Sequence, residues 1–229
     1  VGTLGADVIL NGDFEELGAD QVLNGDFSQE GSQLIVNGDF ATDTDWIKQV
    51  GWSISGGKAI AVNVPNTQRI QSNGGASVIG KTYKYSFEAS NISGFYTVYI
   101  YGLNVLGSIN TEGLVEGTFV ATSTNGAFYI SGATVNGLVT GEFDNVSVVE
   151  VGQDWTLGTG WSIGDDKVIA DGTNTSLSEV RQTSVTTIGK QYKVTFRVNE
   201  VNGAIELKGN GIYTRVDTLG VGTHTIYIT

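Results

Sequence analysis

The sequence has no cysteine, no methionine, a single histidine and few bases. Without cysteine, disulfides, thiol nucleophiles and thiolate metal sites are excluded together, and the compartment stays open. A chain that starts at Val1 and carries no methionine is expected to be a processed product or part of something longer. His224 sits in a Thr-rich strand pattern, where an exposed or edge position is the default, so neither a catalytic triad nor a histidine metal site is expected. Twelve bases stand against 24 acids, a net charge of −12. Residues 1–32 hold seven acids and no base, and no basic stripe exists that could follow a phosphate backbone, so nucleic acid is not an expected partner. No apolar run approaches the ~18 residues of a membrane span, no basic-then-apolar start resembles a signal peptide, and membrane insertion is not expected. No stretch keeps a helical apolar period for three turns.

What is abundant points to strands. Glycine contributes 33 of the 229 residues, and Thr, Val, Ile and aromatics dominate the rest, which predicts an all-β protein. This length accommodates one large domain or two of about 100 residues with proper cores.

Two internal repeats organise the chain. Leu4–Phe14 returns 13 residues later as Leu17–Phe27, and Leu34–Phe40 is a third, partial copy; each ends in Asn-Gly-Asp-Phe. One such copy makes a strand and a turn, too little to bury a core alone, so the copies are expected to dock on something else or on their equivalents in other chains. The second repeat has an offset of 109: Trp46 to Ile54 matches Trp155 to Ile163, Ile79-Gly-Lys81 matches Ile188-Gly-Lys190, Tyr83 matches Tyr192 and Phe87 matches Phe196. One fold used twice is predicted: short β repeats over 1–33, a first module over 34–151 and a second over 152–229. Within them Tyr83, Tyr85 and Phe87 oppose Lys84, Ser86 and Glu88, and Tyr192, Val194 and Phe196 oppose Lys193, Thr195 and Arg197, the alternation of antiparallel sandwich strands with one face in the core. Pairs such as Gly56-Gly57, Asn125-Gly126 and Asn136-Gly137 supply the tight turns.

The series Asn37-Gly-Asp-Phe40, Thr42-Asp-Thr-Asp-Trp46, Gly51-Trp-Ser-Ile-Ser-Gly-Gly57 and Phe143-Asp-Asn-Val-Ser147 resembles the jelly-roll modules of phage tail, fibre and other virion proteins. These are similar in turn to the galactose-binding-like carbohydrate-binding modules attached to xylanases and cellulases. Gly152 to Trp161 follows the tandem form of the pattern, so the resemblance covers residues 34–229. It implies tandem jelly-roll β-sandwiches and a virion setting; a shared sandwich does not by itself carry a shared ligand site.

Candidate sites are few. Asp165-Asp166 is the most conspicuous carboxylate pair, but it lies between Gly164 and Lys167 in what reads as a hairpin turn, and no catalytic residue is assigned. The resemblance implies a structural calcium between the first and last strands, with Asp39 and Asp144 on the matching motifs; Ala41 stands where those modules often place a glutamate, and the alternative is that Asp39 shapes a turn and Asp144 caps a strand end. In Phe95 to Tyr101 one face carries Tyr96, Val98 and Ile100, the other Phe95, Thr97, Tyr99 and Tyr101. The second module has Ile205 and Leu207 for the first face and Ala204, Glu206 and Lys208 for the second, so Phe95, Tyr99 and Tyr101 are assigned to the outside, as a platform for a sugar ring or a subunit contact. Trp52 and Trp161 recur at one module position and are expected in the core. The sequons at Asn91, Asn145 and Asn174 carry no meaning in a bacterial or viral source.

The reading is a non-enzymatic phage structural or adhesion protein (a fibre, spike or capsid decoration) on the virion surface. Its expected partners are other virion subunits, in a homo-oligomer with a trimer favoured, and host surface glycans. The alternative is a secreted bacterial carbohydrate-binding protein, or an accessory module of a glycoside-degrading enzyme. The second module has no Asn-Gly-Asp-Phe of its own and no counterparts of Phe128–Ile130 or Phe143–Val148. Residues 8–14 and 21–27, read as strands without a core, are therefore expected to complete sheets by strand addition in neighbouring subunits or in a stacked N-terminal shaft; the alternative is that further residues beyond Thr229 complete the second module.

Overall fold

The computed structural model describes residues 16–100, 105–133, 137–173, 178–203, 206–209, 212–215 and 220–228. The described elements are all strands, and they fall into two compact units, Asn24–Arg181 and Val1–Leu23 with Gln182–Thr229.

In the first unit, β1 (Glu30–Gln33), β2 (Trp46–Lys48), β3 (Trp52–Ser55), β4 (Lys58–Pro65), β5 (Arg69–Ser72), β6 (Thr82–Ser93), β7 (Tyr96–Ile100), β8 (Val105–Ile109), β9 (Gly113–Val120), β10 (Phe128–Gly132) and β11 (Leu138–Val151) form two antiparallel sheets. The six-stranded sheet runs β3-β4-β11-β6-β9 with β1 also on β11; the five-stranded sheet runs β2-β5-β10-β7-β8. The alternation read from the sequence holds: Tyr83, Tyr85, Phe87 and Ala89 are buried along β6, while Lys84, Ser86 and Glu88 lie on the other face. The core between the sheets is aromatic at its centre. Phe143 meets Tyr96 at 4.9 Å and Phe87 meets Phe128 at 5.8 Å, both in the edge-to-face geometry favoured by ring quadrupoles, and Phe143 lies tilted against Trp52 at 5.6 Å.

β11 is long enough to take two neighbours in succession on one edge, β4 along its first half and β1 along its last residues. Between them its register shifts from Asp144 to Ser147, with Asn145 at φ +53, a bulge at a residue type that tolerates the left-handed region. The Val146 N–H released there donates to the Gly38 carbonyl at 2.9 Å. A Cβ on Gly38 would run into the Val146 carbonyl oxygen, so only glycine lets the segment approach this closely.

Asn-Gly-Asp-Phe is thus a turn, where a strand was expected. Asn37 and Phe40 have φ of +55 and +48, which no strand residue adopts, and the paired strand lies before it, at β1. Its parts are all used. The Phe40 N–H donates to Asn37 O, Asn37 Nδ2 donates to Thr42 O and Thr44 O, and Trp46 Nε1 donates to Asn37 O at 2.9 Å while Phe40 packs on the Trp46 ring.

The same unit holds β12 (Thr156–Leu157), paired with β15 (Val180–Arg181), and β13 (Trp161–Gly164), paired with β14 (Lys167–Ala170). Trp161 pairs with Ala170 as Trp52 pairs with Ala61, each partner displaced by 109. Asp165 and Asp166, both at positive φ, make the two-residue turn between β13 and β14, which is the geometry of a type I′ hairpin. Ile163 is buried with Val149 and Val151, and Phe27, Trp155, Leu157 and Val168 pack against them. Trp161 is half-buried, in contrast to the buried Trp52, and its indole N–H has no partner where Trp52 Nε1 donates to Gln68 O.

In the other unit β16 (Tyr192–Val198) pairs with β19 (Gly222–Ile228), and β17 (Glu206–Gly209) with β18 (Ile212–Arg215). Tyr192 faces Ile228 as Tyr83 faces Phe119, again the 109 offset on both strands. Along β16, Tyr192, Val194 and Phe196 are half-buried and Lys193, Thr195 and Arg197 exposed. His224 lies on β19 against Phe196, its Nε2 2.9 Å from Gly220 O.

Candidate functional site

Strand alternation puts two opposite requirements on β7. Tyr96, Val98 and Ile100 are fully buried, so Thr97 and Tyr99 must point away from the core. Tyr99 does so, half-buried, and Phe95, two residues earlier, is 52 % exposed. The assignment of faces made from the second module agrees with this geometry, and in that module Leu207 is half-buried while Lys208 is exposed. Tyr101, the third residue expected on the platform, lies outside the described residues.

The register of the five-stranded sheet extends the platform beyond β7. Ile47 faces Gln71, Gln71 faces Tyr129, Tyr129 faces Tyr99 and Tyr99 faces Val105, one continuous row across all five strands on the outer face. The Tyr99 and Tyr129 rings stack at 4.8 Å with 25° between planes, and the Arg69 guanidinium lies 4.9 Å from the Tyr129 centroid, within cation–π range. Covered this way, Tyr129 is only 2 % exposed although it points away from the core. It serves as the base on which Tyr99 is held flat. The next row is polar: Arg69 faces Ser131, Ser131 faces Thr97 and Thr97 faces Ser108. Arg69 is anchored by its own N–H, which donates to Gln49 Oε1 at 3.0 Å. The outer face therefore offers an aromatic surface at Tyr99 with amide, hydroxyl and guanidinium groups beside it, and exposed apolar residues, Ile47 and Val105, at its two edges. Sequence reading found Phe95 and Tyr99 but missed Tyr129, Arg69 and Gln71. Tyr129 stands between two core residues, Phe128 and Ile130, and only its parity in the strand marks it as outward.

The outer face of the six-stranded sheet carries charge instead. Lys58 on β4 donates to Glu142 Oε2 at 2.7 Å, and Asn91 Nδ2 donates to Glu142 Oε1 at 2.9 Å. The bond from Lys58, then that from Asn91, holds the Glu142 carboxyl below its ordinary value, and the same bond holds the Lys58 ammonium above its own. A shallow cavity of about 170 Å³ adjoins the pair, lined by Lys58, Glu88, Ser90, Leu114 and Asp144 among others.

Asp39 and Asp144 fall on adjacent segments, tied by the Val146 to Gly38 bond. Each carboxylate is engaged locally: Asp39 accepts the Ala41 N–H in its turn and Asp144 accepts the Asn145 N–H at the bulge. Among the described residues no three acidic or histidine side chains gather as metal ligands do. These are the local bonds of a turn at Asp39 and of the β11 bulge at Asp144.

No family model matches the sequence, and no curated protein matches it. Among solved structures the chain is similar to one described as "CBM4 structure and function", at 18% identity over 56% of this chain and 98% of that one, with a TM-score of 0.36. It is similar to a second, "BiXyn10A CBM1 APO", at 13% identity over 53% of this chain and 98% of that one, TM-score 0.39. A third, an arabinose-bound "MgGH51 a-L-Arabinofuranosidase", matches at 18% identity over 53% of this chain but 27% of its own, TM-score 0.33.

Proposed function

We propose that the sandwich of β1 to β11 is a non-catalytic carbohydrate-binding module whose site is the outer face of the five-stranded sheet. The observation that carries this reading is the stacked Tyr99–Tyr129 pair, which lies away from the core, with Gln71 on the far side of Tyr129 in the same row and Thr97 and Arg69 in the next row. A flat ring takes the C–H face of a sugar, and adjacent amide, hydroxyl and guanidinium groups take its hydroxyls. Phe95, exposed just before β7, extends the surface. The second reading, a contact with another subunit, is supported by the exposed Ile47 and Val105 at the edges of the same row. Two settings suit such a module. One is a phage virion surface, where the chain acts as a fibre, spike or decoration in a homo-oligomer and touches host glycans. The other is a secreted carbohydrate-binding protein or an accessory module of a glycoside-degrading enzyme.

A glycan array probed with the full chain and with Tyr99→Ala tests the site. Tyr99→Ala is expected to weaken every bound glycan about 10-fold or more with its melting temperature held. Binding that survives the substitution removes the site; loss of a higher oligomer without any glycan binding favours the subunit contact. Mass spectrometry of purified particles separates the two settings.

A further inference from the structure

The sandwich of β1 to β11 carries five bases, and its four lysines each have a carboxylate beside them. Lys48 meets Asp43, Lys58 meets Glu142 at 2.7 Å, Lys81 meets Glu150 at 3.2 Å and Lys84 meets Glu30 at 3.7 Å. Arg69 is the fifth base, and among the described residues no acid pairs with it. In a chain with 24 acids and 12 bases, a base left without an acid is the exception. Ile70 and Ser72 are buried, so Arg69 and Gln71 point to the outer face of the five-stranded sheet. The two outward rows that meet there, from Ile47 to Val105 and from Arg69 to Ser108, contain no aspartate or glutamate. Arg69 is also held in place. Its N–H donates to Gln49 Oε1 and its carbonyl accepts the Gln49 N–H, both at 3.0 Å, while the guanidinium lies over the Tyr129 ring. No guanidinium N–H has a protein acceptor among the described residues, and Nε is buried in that condition. A fixed guanidinium with unpaired donors is complementary to an anion that offers it several oxygens at once.

We propose that the glycan taken by this face is an anionic one: Arg69 pairs with a negatively charged substituent, a uronate carboxylate or a sulfate ester, on the sugar next to the one stacked on Tyr99. The inference rests on the reading of this face as a glycan site and adds to it the class of glycan. Two contacts of 4.9 and 4.8 Å, through the Tyr129 ring, separate the guanidinium from the Tyr99 ring, a span that one stacked sugar and its neighbour cover. A sugar hydroxyl offers the guanidinium one acceptor and no opposite charge, whereas a carboxylate or sulfate offers clustered oxygens and the charge together. The net charge of −12 opposes a polyanion at long range, and salt screens that repulsion beyond about 10 Å at 0.1 M. Selection of the anion therefore comes from contact at Arg69 and from the lack of carboxylates around it.

The test measures calorimetric binding of the full chain to matched pairs of oligosaccharides: galacturonate, alginate and glucuronoxylan oligomers, each against its carboxyl-reduced form, and sulfated galactan oligomers against their desulfated form. The anionic member of at least one pair is expected to bind about 10-fold or more tighter than its neutral counterpart. That preference should shrink as sodium chloride is raised, and in Arg69→Gln the ratio between the two members should fall to about one. A preference within the uronate pairs assigns the carboxylate, and one confined to the sulfated pair assigns the ester. Equal binding of both members of every pair, weakened in both by Tyr99→Ala, overturns the anionic class and leaves the glycan site standing. A preference that survives Arg69→Gln, or that is indifferent to salt, also overturns it. Binding of no member removes the glycan site and this proposal with it. Because Arg69 packs on Tyr129, the salt titration of the parent gives the same decision if Arg69→Gln fails to fold.

Discussion

Trp155 donates its indole N–H to the carbonyl of Asn24, 131 residues before it, at 2.9 Å, the distance at which Trp46 donates to Asn37, nine residues before it. The N-terminal copies were expected to add strands to neighbouring subunits or to a shaft; the second copy instead forms a turn and docks on its own chain. What makes this possible is that the motif satisfies its own backbone through Asn24 and Asp26 and needs from its partner only a ring, an indole N–H and one carbonyl. A strand would have needed a whole free edge.

Gly38 is the tightest point of the Asn37–Phe40 turn. Gly38→Ala forces a methyl group into the Val146 backbone at the β11 bulge, where no side chain can give way. The substitution is expected to cost about 3 kcal/mol or more, lowering the melting temperature by about 6–12 °C. Gly56→Ala, at φ +62 with open space around it, is the comparison and should cost about 1 kcal/mol. Thermal denaturation followed by near-UV circular dichroism reads both.

Tyr96 buries a hydroxyl that has no hydrogen-bond partner, and burial pushes its phenol well above the ordinary value of 10. An unsatisfied buried hydroxyl costs about 1–3 kcal/mol. Tyr96→Phe is therefore expected to leave stability unchanged or raise it by up to about 1 kcal/mol, read as the urea midpoint at constant slope. A fall of more than about 1 kcal/mol would mean the oxygen makes a stabilising bond.

The faces of β6 and β7 were legible in the sequence because period-2 alternation is local, and the second module decided which face of β7 is the outer one. The turn was visible as a repeat, but its form was not: Asn-Gly-Asp-Phe after an apolar run reads as a strand end, and only the positive φ at Asn37 and Phe40 makes it a turn. Which tryptophan Asn24 would take was equally hidden, since two Asp-Trp steps are chemically alike. Tyr129 was missed for a related reason. Its role depends on facing Tyr99 and on Arg69 lying against it, and cross-strand register is a property of the assembled sheet. Asp39 lies in the turn after β1 and Asp144 on β11, on segments joined by the Val146 to Gly38 bond, a proximity that depends on the folded register.

The Lys58–Glu142 pair sets a pH dependence. Glu142 is held below its ordinary value of 4.5, first by Lys58 and then by Asn91, so its contribution is present above that value and lost as pH falls through the lower folded value. Lys58, held above 10.5, contributes below that value and loses its part as pH rises through the higher folded one. Glu142→Gln should therefore melt lower than the parent at neutral pH, and the gap should close as the parent's Glu142 protonates in acid. A gap that is constant from neutral to strongly acidic pH would assign the effect to packing. Both groups are solvent-accessible, so high salt should narrow the neutral-pH gap.

The outer face of the five-stranded sheet carries the functional reading, and a backbone NMR titration with the highest-ranked array glycan tests it most directly. Shifts are expected to cluster on β5, β7 and β10 around Gln71, Tyr99 and Tyr129, and to vanish in Tyr99→Ala while the rest of the spectrum is unchanged. Shifts that cluster on the six-stranded sheet around Lys58 and Glu88, or that persist in Tyr99→Ala, would contradict the account.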